Sequence, residues 1–307
     1  MQKFHSTGKL LLTGEYVVLD GASALAIPTK YGQSLEIEYS TEKGIYWKSH
    51  DEKGAVWFED FFDIKNFENK NTTNELSKTL SKILKEAKKL NPGFLSASEG
   101  IQVITKLDFP RNWGLGTSST LINNIAQWAE VDAFALLDNS FGGSGYDIAA
   151  AQSDSPLLYK LKDGKPEFKK ANLHWDFTDS LFFVHLNQKQ DSKEGISRYR
   201  KTSVDEKSIQ KISEISTKLL ICESLSEFEK LLNMHEEIIS EIIKFPTIKE
   251  QFFSDYSGSI KSLGAWGGDF VLVTGDFSNM DYFRKKGFES VVSFKEMMAQ
   301  HKKLWRN

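Results

Sequence analysis

The chain has 307 residues, a length typical of two domains. Its 39 lysine and arginine residues nearly balance its 42 aspartate and glutamate residues, which leaves a formal net charge of -3. This balance excludes the strongly basic surface expected of a nucleic-acid-binding or polybasic membrane-surface protein. Hydrophobic residues make up 40% and charged residues 26%, which indicates a globular chain.

The sequence shows no sign of a membrane segment or an extracellular disulfide framework. It contains no run of about 18 consecutive apolar residues, the length that a membrane helix needs. The polar N-terminus leads into only a short apolar run, so we expect no signal peptide. The single cysteine, Cys222, excludes an intrachain disulfide and any Cys-x-x-Cys metal site. We therefore expect a soluble, cytoplasmic protein with no nucleic-acid or membrane partner.

In the first half of the chain, patterns of alternating apolar residues predict strands, and apolar residues at helical spacing predict helices. Strands are predicted at residues 9–19, 35–39, 45–48, 55–58 and 100–105. Helices are predicted at residues 76–90, where Asn-Pro-Gly ends the pattern, at 118–137, and from 146 onward. Residues 157–165 read as a hairpin.

The second half differs because its elements are grouped by type. Strands are predicted at residues 181–186 and 270–273, and helices at 205–222, 225–244 and 294–304. Grouped strands and helices favour an α+β fold over a doubly wound sheet, with a domain boundary near residues 165–180. His235 lies among the apolar positions of one helix, and we interpret it as a packed histidine. The six histidines have no metal-ligand spacing.

The segment that carries the most chemical information is residues 110–119, Pro-Arg-Asn-Trp-Gly-Leu-Gly-Thr-Ser-Ser. It follows a predicted strand and precedes a predicted helix. Glycines let a phosphate approach the backbone, and a helix N-terminus offers unbonded N–H groups and a favourable dipole. The hydroxyls of residues 117–119 could cap the helix or bind Mg²⁺. Taken alone, the segment fits an ordinary glycine turn with a serine N-cap equally well.

Better-known phosphate motifs do not occur in the sequence. Lys9 follows Gly8, but Leu10 stands where a Walker A motif needs Ser or Thr. The pattern Gly-x-Gly-x-x-Ser at residues 114–119 lacks the third glycine of the dinucleotide fingerprint. The sequence therefore supports neither a P-loop nor a Rossmann nucleotide site, and protein-kinase signatures are absent.

Three further segments contain residues suited to phosphate chemistry. Lys9 begins an apolar strand pattern, where a partly buried ammonium could stabilise a phosphate. Asp147 follows Gly-Ser-Gly-Tyr and could accept a proton from a ligand. Residues 264–269, Gly-Ala-Trp-Gly-Gly-Asp, form a tight loop before a strand. Each has a simpler interpretation as well: an edge lysine, a helix-capping aspartate and a plain turn.

In this order and spacing, the segments resemble the motifs of the GHMP small-molecule kinases, a superfamily that includes galactokinase, homoserine kinase, mevalonate kinase and phosphomevalonate kinase. The resemblance extends from Gly8 to Asp269. It implies a two-domain α+β fold: a ribosomal protein S5 domain 2-like ATP-binding domain at residues 1–175, and a ferredoxin-like C-terminal domain at residues 176–307.

The resemblance also implies roles for individual residues. Asp147 and Lys9 correspond to the catalytic pair, and ATP and Mg²⁺ are the implied cofactors. Ser118 corresponds to the magnesium ligand. The ATP-binding residues implied are Gly114, Leu115, Gly116, Thr117, Ser118 and Ser119. The substrate-binding residues implied are Glu15, Ser144, Gly145, Gly264, Ala265, Gly267 and Gly268.

Details within the motifs resemble phosphomevalonate kinase more than mevalonate kinase, above all Gly-Glu-Tyr at residues 14–16. The string Gly-Tyr-Asp-Ile-Ala at residues 145–149 also resembles a small subgroup of the superfamily. The expected function is an ATP-dependent kinase acting on a hydroxyl or phosphate of a small metabolite, with phosphomevalonate or mevalonate of isoprenoid precursor synthesis favoured. Two alternatives stay open: an ATP-using decarboxylase of the diphosphomevalonate decarboxylase type, and a non-catalytic nucleotide-binding relative. A homodimer also stays open.

The sequence departs from the pattern of the superfamily at two positions. Leu136 stands where mevalonate kinases carry a magnesium-binding glutamate. Asp132 or Asp138 could substitute for it, or Ser118 and ATP could hold Mg²⁺ alone. Trp266 replaces a glycine of the third motif, which we expect to narrow that loop.

Overall fold

A computed structural model of the chain describes residues 1–69, 74–96, 99–188, 192–266 and 268–298. These residues form two compact units. Unit 1 comprises Met1–Gly8, Tyr31–Arg111 and Leu115–Gln152, whereas unit 2 comprises Lys9–Lys30, Asn112–Gly114 and the described residues from Ser153 onward. The sequence-based boundary at residue 175 stays a prediction.

The mixed α+β composition expected from the sequence is confirmed. The strands are β1 (Gln2–Leu11), β2 (Ala24–Tyr39), β3 (Gly44–His50), β4 (Val56–Phe62), β5 (Gly100–Leu107), β6 (Leu157–Lys162), β7 (Lys165–Lys170), β8 (Leu181–His185), β9 (Ile260–Ser262), β10 (Phe270–Thr274) and β11 (Val291–Ser293). The helices are α1 (Glu75–Leu90), α2 (Thr117–Ala129), α3 (Ala133–Ser140), α4 (Tyr146–Ala151), α5 (Ser192–Tyr199), α6 (Glu206–Leu220), α7 (Leu225–Ile243), α8 (Ile248–Phe252), α9 (Asp281–Lys285) and α10 (Phe294–Met297).

In unit 1, β3 lies between β4, with which it pairs antiparallel, and β5, with which it pairs parallel. The other edge of β5 pairs antiparallel with the second half of β2, from Gln33 to Tyr39. Helices α1, α2 and α3 contribute their apolar stripes to one core with the inward-facing residues of these strands. Large members of this core are Trp47, Phe62, Leu84, Ile122, Ile125 and Leu136.

In unit 2, a four-stranded antiparallel sheet has the strand order β11-β8-β10-β9. Every residue of β8 and β10 is buried, as their continuous apolar runs predict. The hairpin of β6 and β7 pairs with the first part of β2, at Ala24–Ala26. The long helices α6 and α7 match the predicted amphipathic patterns.

The helix predicted at residues 118–137 is wrong in its length, because the structure contains two helices there. Helix α2 ends at Ala129, and Glu130 adopts a left-handed conformation with φ of 55°. Asp132 then starts α3, since its carboxylate accepts hydrogen bonds from the Phe134 and Ala135 N–H groups at 2.7 and 3.1 Å. A side-chain cap of this kind competes with continuation of the helix.

Two further predicted boundaries are also wrong. The strand predicted at residues 9–19 ends at Leu11, because Gly14 turns the chain with φ of 87° and packs so closely on Ala24 that a Cβ there would lie 2.6 Å from the Ala24 Cβ. A short 3-10 turn, Val17–Asp20, follows. The last predicted helix covers only Phe294–Met297, and residues 299–304 lie outside the described part of the chain.

Among the described residues, the helices are too short or too polar for any of them to span a lipid bilayer.

Candidate functional site

In unit 1, the predicted phosphate-binding segment ends in the open N-terminus of helix α2. Gly116 is the N-cap residue, with φ of 95° and no side-chain cap. The first intrahelical bond runs from the Thr120 N–H to the Gly116 carbonyl at 3.0 Å. The N–H groups of residues 117–119 precede that bond, so they are available to an anion at the positive end of the helix dipole.

The side chains of this segment have different surroundings. Leu115 is fully buried in the core, so it can offer a ligand only its backbone. The Ser119 hydroxyl donates to the Gly116 carbonyl at 2.9 Å and is nearly buried. Ser118 is exposed, and Thr117 is half-buried. Of the three hydroxyls, that of Ser118 is therefore the most accessible to a ligand.

Helix α2 is anchored by a set of neutral polar side chains, here named the amide network: Ser6, Gln33, Thr120, Asn123, Asn124 and Gln152. The Thr120 hydroxyl donates to Gln33 Oε1 at 2.8 Å, and Asn124 Nδ2 donates to the Gln33 carbonyl at 2.9 Å. The Ser6 hydroxyl donates to Asn124 Oδ1 at 2.7 Å. Asn123 bonds to Ser6 and Gln152 at 2.8 and 2.9 Å. The network fixes the first two turns of α2 to β1 and β2.

Sequence reasoning missed the amide network. The available signal was the pair of adjacent asparagines in the otherwise apolar stretch Leu-Ile-Asn-Asn-Ile-Ala at residues 121–126. Both asparagines are buried, so their amides need hydrogen-bond partners inside the unit.

In unit 1, Asp147 lies in the first turn of helix α4. Gly145 is the N-cap residue, in the left-handed conformation with φ of 79°. The Asp147 carboxylate accepts a hydrogen bond from the Ile148 N–H at 3.1 Å and is half-buried. Ser144 and Gly145 are buried beside it in the sequence. The Thr7 hydroxyl donates to the Ala150 carbonyl at 3.0 Å, which ties α4 to β1.

In unit 2, Lys9 contacts the glycine that begins the phosphate-binding segment. The half-buried Lys9 ammonium donates to the Gly114 carbonyl at 3.1 Å. A Cβ on Gly114 would lie 2.3 Å from the Asp269 Cγ, and Gly114 has φ of 65°. Asp269 also has a left-handed backbone, with φ of 55°. The structure thus brings two predicted site residues together and adds Asp269, to which sequence reasoning had assigned no role.

Glu15 lies in a second buried set of polar side chains, here named the charged cluster: Glu15, His235, Glu236 and Lys261. The Lys261 ammonium donates to Glu15 Oε1 and lies 3.1 Å from Glu236 Oε1. His235 Nε2 lies 3.3 Å from Glu15 Oε2. The side chains of Glu15, His235 and Lys261 are fully buried. The partner that the structure gives Glu15 is therefore a lysine of its own chain.

Burial dominates the titration of the charged cluster. It raises the pKa of Glu15 to about 7, against the opposing effect of Lys261. It also raises the pKa of Glu236. Burial and the neighbouring Lys261 hold the pKa of His235 well below its usual range, so this histidine is neutral. His235 Nε2 accepts a hydrogen bond from the Gly14 N–H at 2.9 Å, which leaves its proton on Nδ1.

Sequence reasoning found His235 as a packed residue but missed Glu236 and Lys261. The signal for Glu236 was its place beside His235 on the apolar stripe of α7, between Leu232 and Ile239. Lys261 was visible only as a single lysine between Ile260 and Ser262 in a short strand.

The third predicted motif begins with Gly264, whose φ is 68°. Ala265 and Trp266 are buried, and the Trp266 N–H donates to the Tyr16 hydroxyl at 3.2 Å. The Trp266 side chain belongs to an apolar core that also contains Tyr16 and Tyr199. Gly268 is buried, and Gly267 lies outside the described residues.

No protein-family model matches the sequence, and no curated protein is significantly similar to it. Solved structures match over nearly the whole chain. A phosphomevalonate kinase from Streptococcus pneumoniae in complex with phosphomevalonate and AMPPNP has a TM-score of 0.71 at 13% identity, covering 96% of this chain and 100% of its own. The Methanococcus jannaschii mevalonate kinase has a TM-score of 0.69 at 16% identity, with 95% and 96% covered. The Lactococcus lactis galactokinase complexed with galactose has a TM-score of 0.66 at 14% identity, with 95% and 92% covered.

The chain has the GHMP kinase fold. The resemblance seen in the sequence motifs is thereby confirmed at the level of the fold.

Within this GHMP kinase fold, the position of the missing glutamate is part of the core. Leu136 is fully buried in the core of unit 1. Asp132 caps α3, and Asp138 is exposed on the same helix. In the described part of the chain, no group of three or more His, Cys, Asp or Glu residues is arranged to hold a metal ion.

Proposed function

We propose that the protein is an ATP-dependent kinase that transfers a phosphoryl group to a hydroxyl or phosphate of a small metabolite. The observation that carries the proposal is the open N-terminus of α2, preceded by two left-handed glycines, in a chain with the GHMP kinase fold. Such a helix end suits phosphate groups because its N–H groups and dipole both favour negative charge. The proposed location is the cytoplasm.

The residues fit a nucleotide with its metal ion. ATP with Mg²⁺ supplies the phosphoryl group to be transferred. We assign its phosphates to the backbone of residues 114–119, and the exposed Ser118 hydroxyl to the metal ion. The donor set supports this assignment, since the α2 N-terminus has no side-chain cap and its first N–H groups can bind an anion.

Two side chains have assigned roles in proton transfer and charge stabilisation. Asp147 accepts the proton of the acceptor group, which is the alcohol hydroxyl in mevalonate or the P–OH of a phosphate monoanion in phosphomevalonate, or orients that group. The Lys9 ammonium stabilises the negative charge that develops during transfer. The bond from Lys9 to the Gly114 carbonyl supports its role, because it holds the ammonium beside the phosphate-binding segment. Phosphoryl transfer relies mainly on such positioning and charge stabilisation.

For the acceptor we propose phosphomevalonate first and mevalonate second, within isoprenoid precursor synthesis. Gly-Glu-Tyr at residues 14–16 supports this choice, and so does the likeness to a phosphomevalonate kinase that binds phosphomevalonate. The acceptor-side residues proposed are Ser144, Gly145, Gly264, Ala265, Gly267 and Gly268. Glu15, also assigned to this side by its motif, is treated separately below.

A coupled ADP-release assay tests the proposal. Purified protein with Mg-ATP is offered phosphomevalonate, mevalonate, homoserine and galactose in turn. We expect ADP release with one of the first two. Asp147→Ala should lower kcat by about 10²- to 10⁴-fold, as loss of a general base does. The matched control is Glu38→Gln, an exposed position in the same unit, which should leave kcat unchanged.

Three outcomes would contradict parts of the proposal. An Asp147→Ala protein as active as the wild type would remove the assigned role of Asp147. Release of CO₂ together with ADP would identify a decarboxylase. Binding of Mg-ATP without ADP release, with any acceptor, would identify a nucleotide-binding protein that does not transfer phosphate.

A further inference from the structure

The charged cluster connects two turns of unit 2 that are far apart in the sequence. One is the turn at residues 13–16, which contains Glu15. The other is the turn at residues 263–266, which begins directly after β9 and its Lys261. The ion pair between Glu15 and Lys261 therefore joins the first turn to the strand β9, which leads into the second turn.

Each member of the cluster also contacts main-chain or neighbouring groups of these turns. His235 Nε2 accepts from the Gly14 N–H at 2.9 Å. The Lys261 ammonium donates to the Ser262 carbonyl, and the Ser262 hydroxyl donates to Glu236 Oε2 at 2.9 Å. Helix α7, which carries His235 and Glu236, thus contacts the first turn and the strand β9 that leads into the second turn through buried polar bonds.

A second connection runs through Tyr16. Its hydroxyl accepts the Trp266 N–H at 3.2 Å, and its ring stacks on Tyr199 with centroids 5.7 Å apart. Tyr16 has a positive φ of 63° with ψ of -52°, a combination that a bulky residue adopts only when its surroundings hold it. A Cβ on Gly195 would lie 2.5 Å from the Tyr16 hydroxyl, so the ring is enclosed on that side as well.

The position of the Glu15 carboxylate does not suit a direct substrate contact. Its side chain is fully buried, and one oxygen is bound to Lys261. A ligand could reach this carboxylate only after the ion pair had broken, which would leave Lys261 buried with one acidic partner fewer. Glu15 therefore influences the neighbouring turns through its ion pair with Lys261.

We propose that Glu15 is a positioning residue, whose ion pair with Lys261 clasps the turn at residues 13–16 to the turn at residues 263–266. The turn at residues 263–266 carries Gly264 and Ala265, which the proposed function assigns to the acceptor side, so the inference rests on that function. The clasp holds these turns as one rigid surface for the acceptor, and it includes no residue of the α2 N-terminus to which the phosphates are assigned.

Hydrogen–deuterium exchange tests the clasp without any assay of activity. The variants are Glu15→Gln, Glu15→Ala, Lys261→Met and Tyr16→Phe. A change at Glu15 or Tyr16 should raise exchange in residues 263–266, and a change at Lys261 should raise exchange in residues 13–20. Glu15→Gln keeps the side-chain length and an acceptor oxygen, so its effect should be smaller than that of Glu15→Ala. Exchange in β10 should stay at the wild-type level.

Asp281→Asn, in an exposed ion pair of the same unit, is the control and should change neither turn. Exchange that rises only in the turn that carries the substitution would overturn the proposal. So would a uniform rise that includes β10, because that pattern indicates loss of global stability. If Lys261→Met fails to fold, Glu15→Gln carries the same test, since it removes the negative charge of the pair and keeps the side-chain length.

Kinetics separate this inference from the proposed function. Glu15→Ala should raise KM for the acceptor by about 10- to 100-fold, the scale of a misplaced binding group. The dissociation constant of a fluorescent ATP analogue should change less than about 2-fold, since the clasp does not include α2. An equal loss of nucleotide affinity would overturn the clasp. A wild-type protein that releases no ADP would overturn the kinase proposal, while the exchange experiment would still decide the clasp.

Discussion

The two buried polar sets of this protein, the amide network and the charged cluster, both satisfy buried polar groups, but they use different chemical groups to do so. The amide network of unit 1 joins neutral amides and hydroxyls, and each bond within it lies between 2.7 and 2.9 Å. The charged cluster of unit 2 buries one ammonium with two carboxylates and a neutral histidine. Both sets hold a predicted ligand-binding segment in place.

The two sets differ in the free energy that is lost when one partner of a buried bond is removed. A neutral donor or acceptor left without a partner costs the desolvation of one dipole. A buried charge left without its partner costs far more, since little water is present to screen it. The charged cluster also responds to pH, because burial moves the pKa of Glu15 to about 7. The amide network contains no group that titrates in this range.

The largest effect is expected from Lys261→Met, which leaves Glu15 and Glu236 buried without a cation. We expect the free energy of unfolding to fall by about 3–5 kcal/mol at pH 8, as when one partner of a buried ion pair is removed. Urea denaturation measures it. The matched control is Lys286→Met, which breaks the exposed pair with Asp255 and should lower the stability far less. Equal effects of the two variants would remove the distinction between buried and exposed pairs here.

The next effect is a pH dependence that Glu15→Gln should abolish. The folded pKa of Glu15 is raised from 4.5 to about 7, so the folded state binds more protons than the unfolded state between these values. Its contribution therefore lowers the stability of the wild type as pH rises from 4.5 to 7. Relative to Glu15→Gln, the wild type should lose about 3 kcal/mol over this range. Denaturation curves across the range measure the difference, and a constant difference would contradict the assignment.

A smaller effect is expected from Thr120→Val in the amide network. The substitution preserves shape and leaves Gln33 Oε1 without its donor, which should cost about 1–3 kcal/mol. The cost should be the same at pH 5 and pH 8, in contrast to that of Glu15→Gln. Thr217→Val, which removes an exposed hydroxyl bond, is the control. A pH-dependent cost at Thr120 would show that the two sets do not differ as described.

The smallest effect is expected at an exposed charge outside both sets. Asp132→Ala removes the N-cap of α3 and should cost about 1 kcal/mol. Asp132→Asn, which retains a capping oxygen, should cost less. These two variants give a reference value for the stability lost when a charged side chain that stays in water is replaced. If Asp132→Ala cost as much as Lys261→Met, burial would not explain the behaviour of the charged cluster.

Local sequence patterns predicted most of the individual elements. The apolar stripe of α1 and its end at Asn91 were predicted, as were the hairpin of β6 and β7 and the amphipathic helices α6 and α7. These elements depend on interactions between residues that are close in sequence. The break at Glu130 was missed because apolar residues continue on both sides of it, so the periodicity conceals the left-handed residue and the new cap.

The residues of the candidate site likewise fall into two groups, those that local sequence patterns predict and those that they do not. Glycines at 114, 116, 145 and 264 all adopt the left-handed conformation, which is why their spacing is visible in the sequence. That Asp147 would lie in the first turn of a short helix was equally predictable. The contact of Asp269 with Gly114 was not, because it joins two loops that no local pattern relates.

The amino-acid order therefore specified many of the turns and most of the helices and strands, and its motifs resemble those of the superfamily whose fold the chain has. It did not reveal which charges would be buried together. Glu15 and Lys261 are 246 positions apart, and neither has a neighbour in sequence that indicates a buried ion pair. A lone lysine in a short strand is ordinarily read as exposed, since burial of its charge is unfavourable without an anionic partner. That partner is supplied by packing, and so the role of Glu15 follows from the folded structure.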